Sequence, residues 1–126
     1  MPMTSKKILI ADDSRTFRHV EEELLKRNGY TLVIAENGAK AVQLAAREAP
    51  DLILLDLQMP VMDGAKALAV LKRNDKTSAI PVIIITTVSD DAQRAQLLAA
   101  GAEQVLFKPL QGPDLLNAIR GKLGKA

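Results

Sequence analysis

Cysteine and tryptophan are both absent from this chain, which has one histidine, one tyrosine and two phenylalanines. Without cysteine there is no disulfide framework and no thiolate metal site, which fits a reducing compartment and leads to the expectation of a cytoplasmic protein. With aromatics at 2%, Leu, Ile, Val and Ala must fill the core, a palette suited to helices layered against a sheet. No apolar stretch approaches the ~18 residues that span a bilayer, so membrane insertion is not expected. Met1-Pro2-Met3-Thr4-Ser5-Lys6-Lys7 lacks the apolar core and small-residue cleavage site of a secretory leader. The formal charge is +2 and the pI about 9.0, yet the basic residues are scattered among 15 acidic ones with no aromatic interleaving. That is a solvated mixed-charge surface, and direct nucleic-acid binding is not expected. Linkers, internal repeats and low-complexity tracts are missing as well. The 126 residues are therefore read as one domain, 1-126, without an output domain. The starting Met and short tail suggest a free-standing protein.

What the chain does have is a strand–helix pattern repeated five times. Four apolar runs end on polar residues: Ile8-Leu9-Ile10-Ala11 before Asp12-Asp13, Leu52-Ile53-Leu54-Leu55 before Asp56, Val82-Ile83-Ile84-Ile85 before Thr86-Thr87, and Val105-Leu106-Phe107 before Lys108-Pro109. Short continuous apolar runs separated by helical stretches read as parallel strands buried on both faces. Leu32-Val33-Ile34-Ala35 is a further strand. The first helix shows Phe17, Val20, Leu24 and Leu25 at i, i+3, i+7, i+8 and stops at Asn28-Gly29. Asn37 is the N-cap of a second helix carrying Val42, Ala45 and Ala46, stopped before Pro50. A third helix presents Ala65, Leu68 and Leu71. Ser89-Asp90-Asp91 opens a fourth that Gly101 closes, and Pro113 lies in the first turn of a fifth with Leu116, Ile119 and Leu123. Right-handed crossovers then give an α/β doubly wound five-stranded parallel sheet in a three-layer sandwich. Periodicity does not fix strand order, but the flavodoxin-like order 2-1-3-4-5 would bring Asp12, Asp13 and Asp56 together at the switch point.

Three clustered carboxylates repel one another; two unit charges about 4 Å apart do so by about 4 kcal/mol at an effective dielectric of about 20. Hard oxygen ligands with no His or Cys nearby favour Mg²⁺, which accepts a few carboxylates, waters and a phosphoryl oxygen. An aspartate at a strand end can also be the nucleophile that takes up a phosphoryl group. Asp56 fits that role best, with Asp12 and Asp13 on one side and the Lys108 ammonium on the other. The Thr86 hydroxyl, at the end of the intervening strand, would bond a phosphoryl oxygen.

On these residues the chain resembles the receiver domain of bacterial two-component response regulators along essentially its full length. Asp12-Asp13, Asp56, Met59-Pro60 with Asp63-Gly64, Thr86 and Lys108-Pro109 occur in the family's order, with Thr86 thirty residues after Asp56 and Lys108 twenty-two after Thr86. The resemblance implies that Asp56 accepts phosphate from a sensor histidine kinase or histidine phosphotransfer protein. Asp12, Asp13, Asp56 and the backbone carbonyl of Gln58 would hold Mg²⁺. Lys108 would contact the phosphoryl group, and Thr86 would move to bind it. The fourth helix, fifth strand and fifth helix would form the surface that responds to a downstream effector protein, on a monomer or weak dimer. No external turnover substrate is expected.

Four positions depart from the family. Val105 replaces the aromatic residue often found three before the Lys, so a hydroxyl-to-aromatic coupling is not available. Thr87 stands where Ala or Gly is usual, narrowing access beside Thr86. Gln58 and Val88 occupy positions that tune dephosphorylation, and Val88 has no polar group to orient water, which points to a long-lived phosphoryl group. The alternative reading is a pseudo-receiver interaction module that works without phosphorylation. A haloacid-dehalogenase-type phosphohydrolase would need an Asp-x-Asp signature, whereas Leu57-Gln58 follow Asp56. A flavodoxin-like flavin binder would need a Ser/Thr/Gly-rich loop where Asp12-Asp13 would repel the phosphate. His19 lies off the apolar stripe of its helix and is read as solvent-facing rather than as a phosphodonor.

Overall fold

Each apolar run becomes a parallel strand because both of its faces are covered. The computed structural model describes residues 6–87, 90–108 and 112–123. Strands and helices alternate as β1 (Lys7–Ala11), α1 (Arg15–Arg27), β2 (Thr31–Ala35), α2 (Gly38–Glu48), β3 (Leu52–Asp56), α3 (Gly64–Arg73), β4 (Val82–Thr86), α4 (Asp91–Ala99), β5 (Gln104–Phe107) and α5 (Gly112–Leu123). All pairings are parallel, and the order is β2-β1-β3-β4-β5, as expected. Expectations placed on Val88, Ser89 and Pro109, and on the side chain of Phe17, lie outside the described residues.

Side chains alternate across the sheet with period two. Ile8, Ile10, Leu52, Leu54, Ile83 and Ile85 share one apolar layer with Leu25 of α1 and with Leu115 and Ile119 of α5. Leu9, Ala11, Ile53, Leu55, Val82 and Ile84 point the other way, toward Ala41 and Ala45 of α2, Leu68 and Leu71 of α3, and Leu97 of α4. The result is three layers with two aliphatic cores.

Local chemistry sets the helix boundaries. Asn37, Asp63 and Asp90 each cap a helix, accepting backbone N–H groups from Lys40 at 2.9 Å, Lys66 at 2.9 Å, and Ala92 at 3.0 Å. Gly29 (φ 90) and Gly101 (φ 115) end α1 and α4 in the left-handed region. In both, a pair of backbone bonds satisfies the last carbonyls: Gly29 to Lys26 and Tyr30 to Leu25, Gly101 to Leu98 and Ala102 to Leu97, all at 3.1 Å.

Three apolar stripes are rotated from their expected positions. Val20 is 61% exposed, and Glu21 takes the inward place at 5%. Glu21 and Leu25 are one turn apart on the same line, so anchoring Leu25 in the core turns Glu21 in and Val20 out. In α3, Ala65 is exposed and Ala67 is buried in its stead; in α5, Leu115 is more deeply buried than Leu116.

Two glycines lock the loop between β3 and α3. A Cβ on Gly64 would overlap the main chain of Asp56 and Leu57, and one on Gly38 would overlap the carbonyl of Met62. That loop is thus pressed against both the end of β3 and the start of α2, with Met59 and Met62 packed against the core. Gly38→Ala should lower stability by about 1–3 kcal/mol through this overlap, read as a drop in the urea midpoint. An unshifted midpoint would mean that the loop yields freely.

Candidate functional site

Parallel pairing places the carboxyl ends of β1, β3, β4 and β5 along one edge of the sheet. Ala11 is in register with Leu55, and Asp56 with Ile85. Asp12 therefore leaves β1 beside Asp56 at the end of β3. Thr86 follows Ile85, and Lys108 is tied to it through its N–H, which donates to the Thr86 carbonyl at 2.8 Å. The sequence-predicted residues Asp12, Asp13, Asp56, Thr86 and Lys108 meet at the crevice, with Gln58 on its rim. Asp12, Asp56 and Thr86 are buried, while Asp13 and Gln58 are exposed.

Carboxylate oxygens of Asp12, Asp13 and Asp56 all lie within 4.8 Å of one another. The Lys108 ammonium bridges two of these groups, donating to Asp12 Oδ2 at 3.1 Å and Asp56 Oδ2 at 3.3 Å. The side chains of all three partners are at most 8% exposed. Main-chain donors set the remaining orientation: Ser14 N–H bonds Asp12 Oδ1 at 2.8 Å, and Gln58 N–H bonds Asp56 Oδ1 at 3.2 Å. Arg18 reaches back to the Asp12 carbonyl at 3.1 Å, tying α1 to the same strand end. An all-oxygen donor set of three carboxylates suits a hard cation such as Mg²⁺. The residues present fit that ion.

Glu21 is the polar residue that the sequence reading missed. Both of its carboxylate oxygens are buried with no hydrogen-bond donor facing them among the described residues, and the group against them is the Asp12 carboxyl. A polar letter inside an apolar stripe normally signals the solvent side, so periodicity pointed outward. The usable signal was its place one turn before Leu25. A link between Thr87 and Gln58 was also not anticipated: the Thr87 hydroxyl donates to Gln58 Oε1 at 3.1 Å across the rim. Val105 is buried within the layer facing α2, α3 and α4. Val61, in the loop after β3, combines a φ of 69 with 82% exposure, a strained β-branched residue that gains little from packing.

Burial and crowding shift the protonation equilibria. Burial, reinforced by the charge on Asp12, pushes the Glu21 carboxyl up to about 8. The same two causes push Asp56 up to about 6, with the Lys108 ammonium and the Gln58 N–H opposing them. For Lys108 burial works downward, but Asp12 and Asp56 outweigh it and its pKa is raised. Lys108 is thus a firm cation beside an Asp56 carboxyl that holds its proton more readily than usual.

The folded chain retains a proton on Glu21 over a range where the unfolded chain has lost it. In metal-free buffer its contribution to stability should therefore fall as pH rises from the ordinary 4.5 toward about 8. Glu21→Gln, neutral throughout, should gain more stability over the parent at pH 8 than at pH 5 in urea titrations. An equal gain at both pH values would contradict a proton-holding Glu21.

Residues 8–120 match the family model described as the response regulator receiver domain. Protein PilH of Pseudomonas aeruginosa is 38% identical, covering 93% of this chain and 97% of that relative. The chain is also 36% identical to a probable transcriptional regulator, ycf27 of Guillardia theta, spanning 46% of its length. Vibrio cholerae chemotaxis protein CheY4 superposes with a TM-score of 0.89 at 27% identity, covering 94% of this chain and 99% of that one. The receiver domain of sensor histidine kinase PA1611 from Pseudomonas aeruginosa, solved with magnesium coordinated in its active-site cleft, gives a TM-score of 0.88 at 28% identity over 97% and 100% of the two chains.

Proposed function

The chain belongs to the response regulator receiver domain family, and from that premise we propose that it is a phosphorylation-activated switch with Asp56 as the phosphoacceptor. The observation that carries this reading is the convergence of Asp12, Asp13 and Asp56 on one spot, with Lys108 bridging Asp12 and Asp56. The donor is a phosphohistidine on a sensor kinase or phosphotransfer protein. As the Asp56 carboxylate oxygen bonds to phosphorus, the phosphorus–nitrogen bond breaks and the imidazole leaves with its electron pair.

Asp12, Asp13, Asp56 and the Gln58 carbonyl would hold Mg²⁺, which when bound offsets the clustered negative charge and that of the phosphoryl oxygens. The Gln58 N–H fixes one carboxylate oxygen of Asp56, leaving the oxygen nearer Lys108 to face its ammonium. A phosphoryl group formed on Asp56 therefore falls within reach of Lys108. Thr86, at the end of β4, supplies the hydroxyl that follows the phosphoryl oxygen and draws the β4–α4 loop with it. The chain turns over no external substrate, and its self-catalysed chemistry is limited to gaining and losing this group.

Output runs through the α4, β5 and α5 surface to an effector protein. With the buried Val105 in place of an aromatic residue, repacking of α4 carries the signal. Leu97 is the single residue of α4 buried among the described residues, so shifting this helix disturbs little apolar packing. No helix among the described residues is long and apolar enough to cross a membrane, which is compatible with work in the cytoplasm.

Incubation with Mg²⁺ and acetyl phosphate should add one phosphoryl mass in intact-protein mass spectrometry, and Asp56→Asn should add none while keeping its circular dichroism. An unlabelled parent would favour a pseudo-receiver that signals without phosphate; a labelled Asp56→Asn would move the acceptor elsewhere. Lys108→Ala should retain Mg²⁺ binding yet lose most of the phosphorylation-dependent change in the NMR spectrum. An undiminished response would remove Lys108 from the switching path.

A further inference from the structure

Residues 57–63 join the strand that ends on Asp56 to α3, and this loop holds the only sulfur atoms among the described residues. Cysteine is absent, and of the four methionines only Met59 and Met62 lie within the described chain. Both are half-buried and packed against the apolar layer that faces α2, α3 and α4. The ends of the loop are fixed by hydrogen bonds. Gln58 N–H donates to Asp56 Oδ1 at 3.2 Å, Gly64 N–H donates to the Leu57 carbonyl at 2.8 Å, and Asp63 caps α3.

The middle of the loop depends on the methionines. Met62 N–H bonds the Pro60 carbonyl at 2.7 Å, which stays inside the loop and ties it to nothing else. Val61 stands between the two anchors at a φ of 69, a region that β-branched residues avoid, and at 82% exposure its side chain offers no hold. The Met62 carbonyl reaches Gly38 on α2 through the space left by the missing Cβ, a fit that requires Met62 to be seated. Two thioether side chains therefore keep a strained turn against the core.

Oxidation reverses that preference, because a sulfoxide is polar and chiral where the thioether was apolar and flexible. In an apolar layer the new oxygen meets no donor, whereas water satisfies it. Release of the strain at Val61 favours the same departure. Resting on the proposed part of the Gln58 carbonyl in holding Mg²⁺, we propose that Met59 and Met62 are an oxidation site through which a peroxide-class oxidant weakens Mg²⁺ binding in the crevice. The sulfur lone pair bonds to one peroxide oxygen and the oxygen–oxygen bond breaks. Sulfur is oxidised by two electrons to the sulfoxide, and the peroxide is reduced to water. The loop then leaves the core and carries the Gln58 carbonyl with it.

Hydrogen peroxide should add one oxygen atom to each of Met59 and Met62 in peptide mass spectra and shift the Gln58 and Gly64 amide signals in metal-free NMR spectra. By calorimetry Mg²⁺ binding should weaken about ten- to a hundredfold, the scale of losing the support behind a metal ligand. Methionine sulfoxide reductase should restore the affinity. The double variant Met59→Leu, Met62→Leu conserves volume and keeps Met1 and Met3, so it should bind Mg²⁺ like the parent before and after peroxide. Parental affinity in the oxidised protein, or an equal loss in the double variant, would overturn the proposal. Should the double variant fail to fold, reversal by the reductase decides: a loss of affinity that persists after both sulfoxides are reduced counts against the site. A parent that takes up no label from acetyl phosphate overturns the phosphorylation reading and leaves these Mg²⁺ measurements standing, whereas a parent that binds no Mg²⁺ overturns this inference.

Discussion

Excess negative charge in a nearly dry crevice is the constraint on which the rest of this molecule turns. Asp12 and Asp56 are buried side by side, Asp13 closes on them from the surface, and one ammonium, Lys108, stands between. Glu21 adds a further buried carboxyl against Asp12, with no donor facing it among the described residues. Burying charges is tolerable only when they are paired, and one cation against several acids does not balance. The crevice relieves the imbalance by holding protons, as the upward shifts of Asp56 and Glu21 show. A divalent cation would relieve it further, and so its arrival or a phosphoryl group's is felt by every group in contact with Lys108.

Rigid and yielding parts are divided around that crevice. The floor is two aliphatic layers packed on a five-stranded sheet, which no small charge rearrangement can deform. The loop after β3 is clamped where Gly38 and Gly64 allow main chain to meet main chain, and it tolerates a strained Val61. On the opposite side of Asp56, α4 rests on a single buried leucine among its described residues. An electrostatic change at the strand ends therefore meets a stiff wall on one side and a loosely held helix on the other.

The strands and the order of the acidic and basic residues were legible because the physics behind them is local. An apolar run long enough to cross a sheet, followed by Asp or Lys, carries its meaning in consecutive letters. Asn37, Asp63 and Asp90 were similarly readable as helix starts, since a cap needs only its own next turn. The rotation of the helices was not. Val20 and Glu21 exchange places, as do Ala65 and Ala67, because a helix turns to suit its deepest anchor rather than the average of its apolar letters. The bond from Thr87 to Gln58 joins residues on separate loops, and no pattern within either loop implies the other.

By itself the sequence determined an alternating α/β chain, the residues that arrive at the strand ends, and the hard-oxygen character of whatever they bind, because propensity, periodicity and ligand chemistry belong to the residues. Tertiary structure alone decided that Lys108 spans Asp12 and Asp56, that Glu21 is interred against another acid, and that Thr87 leans across to Gln58. Those outcomes depend on how one helix is turned and how closely two loops approach, and these distances exist only once the layers are packed.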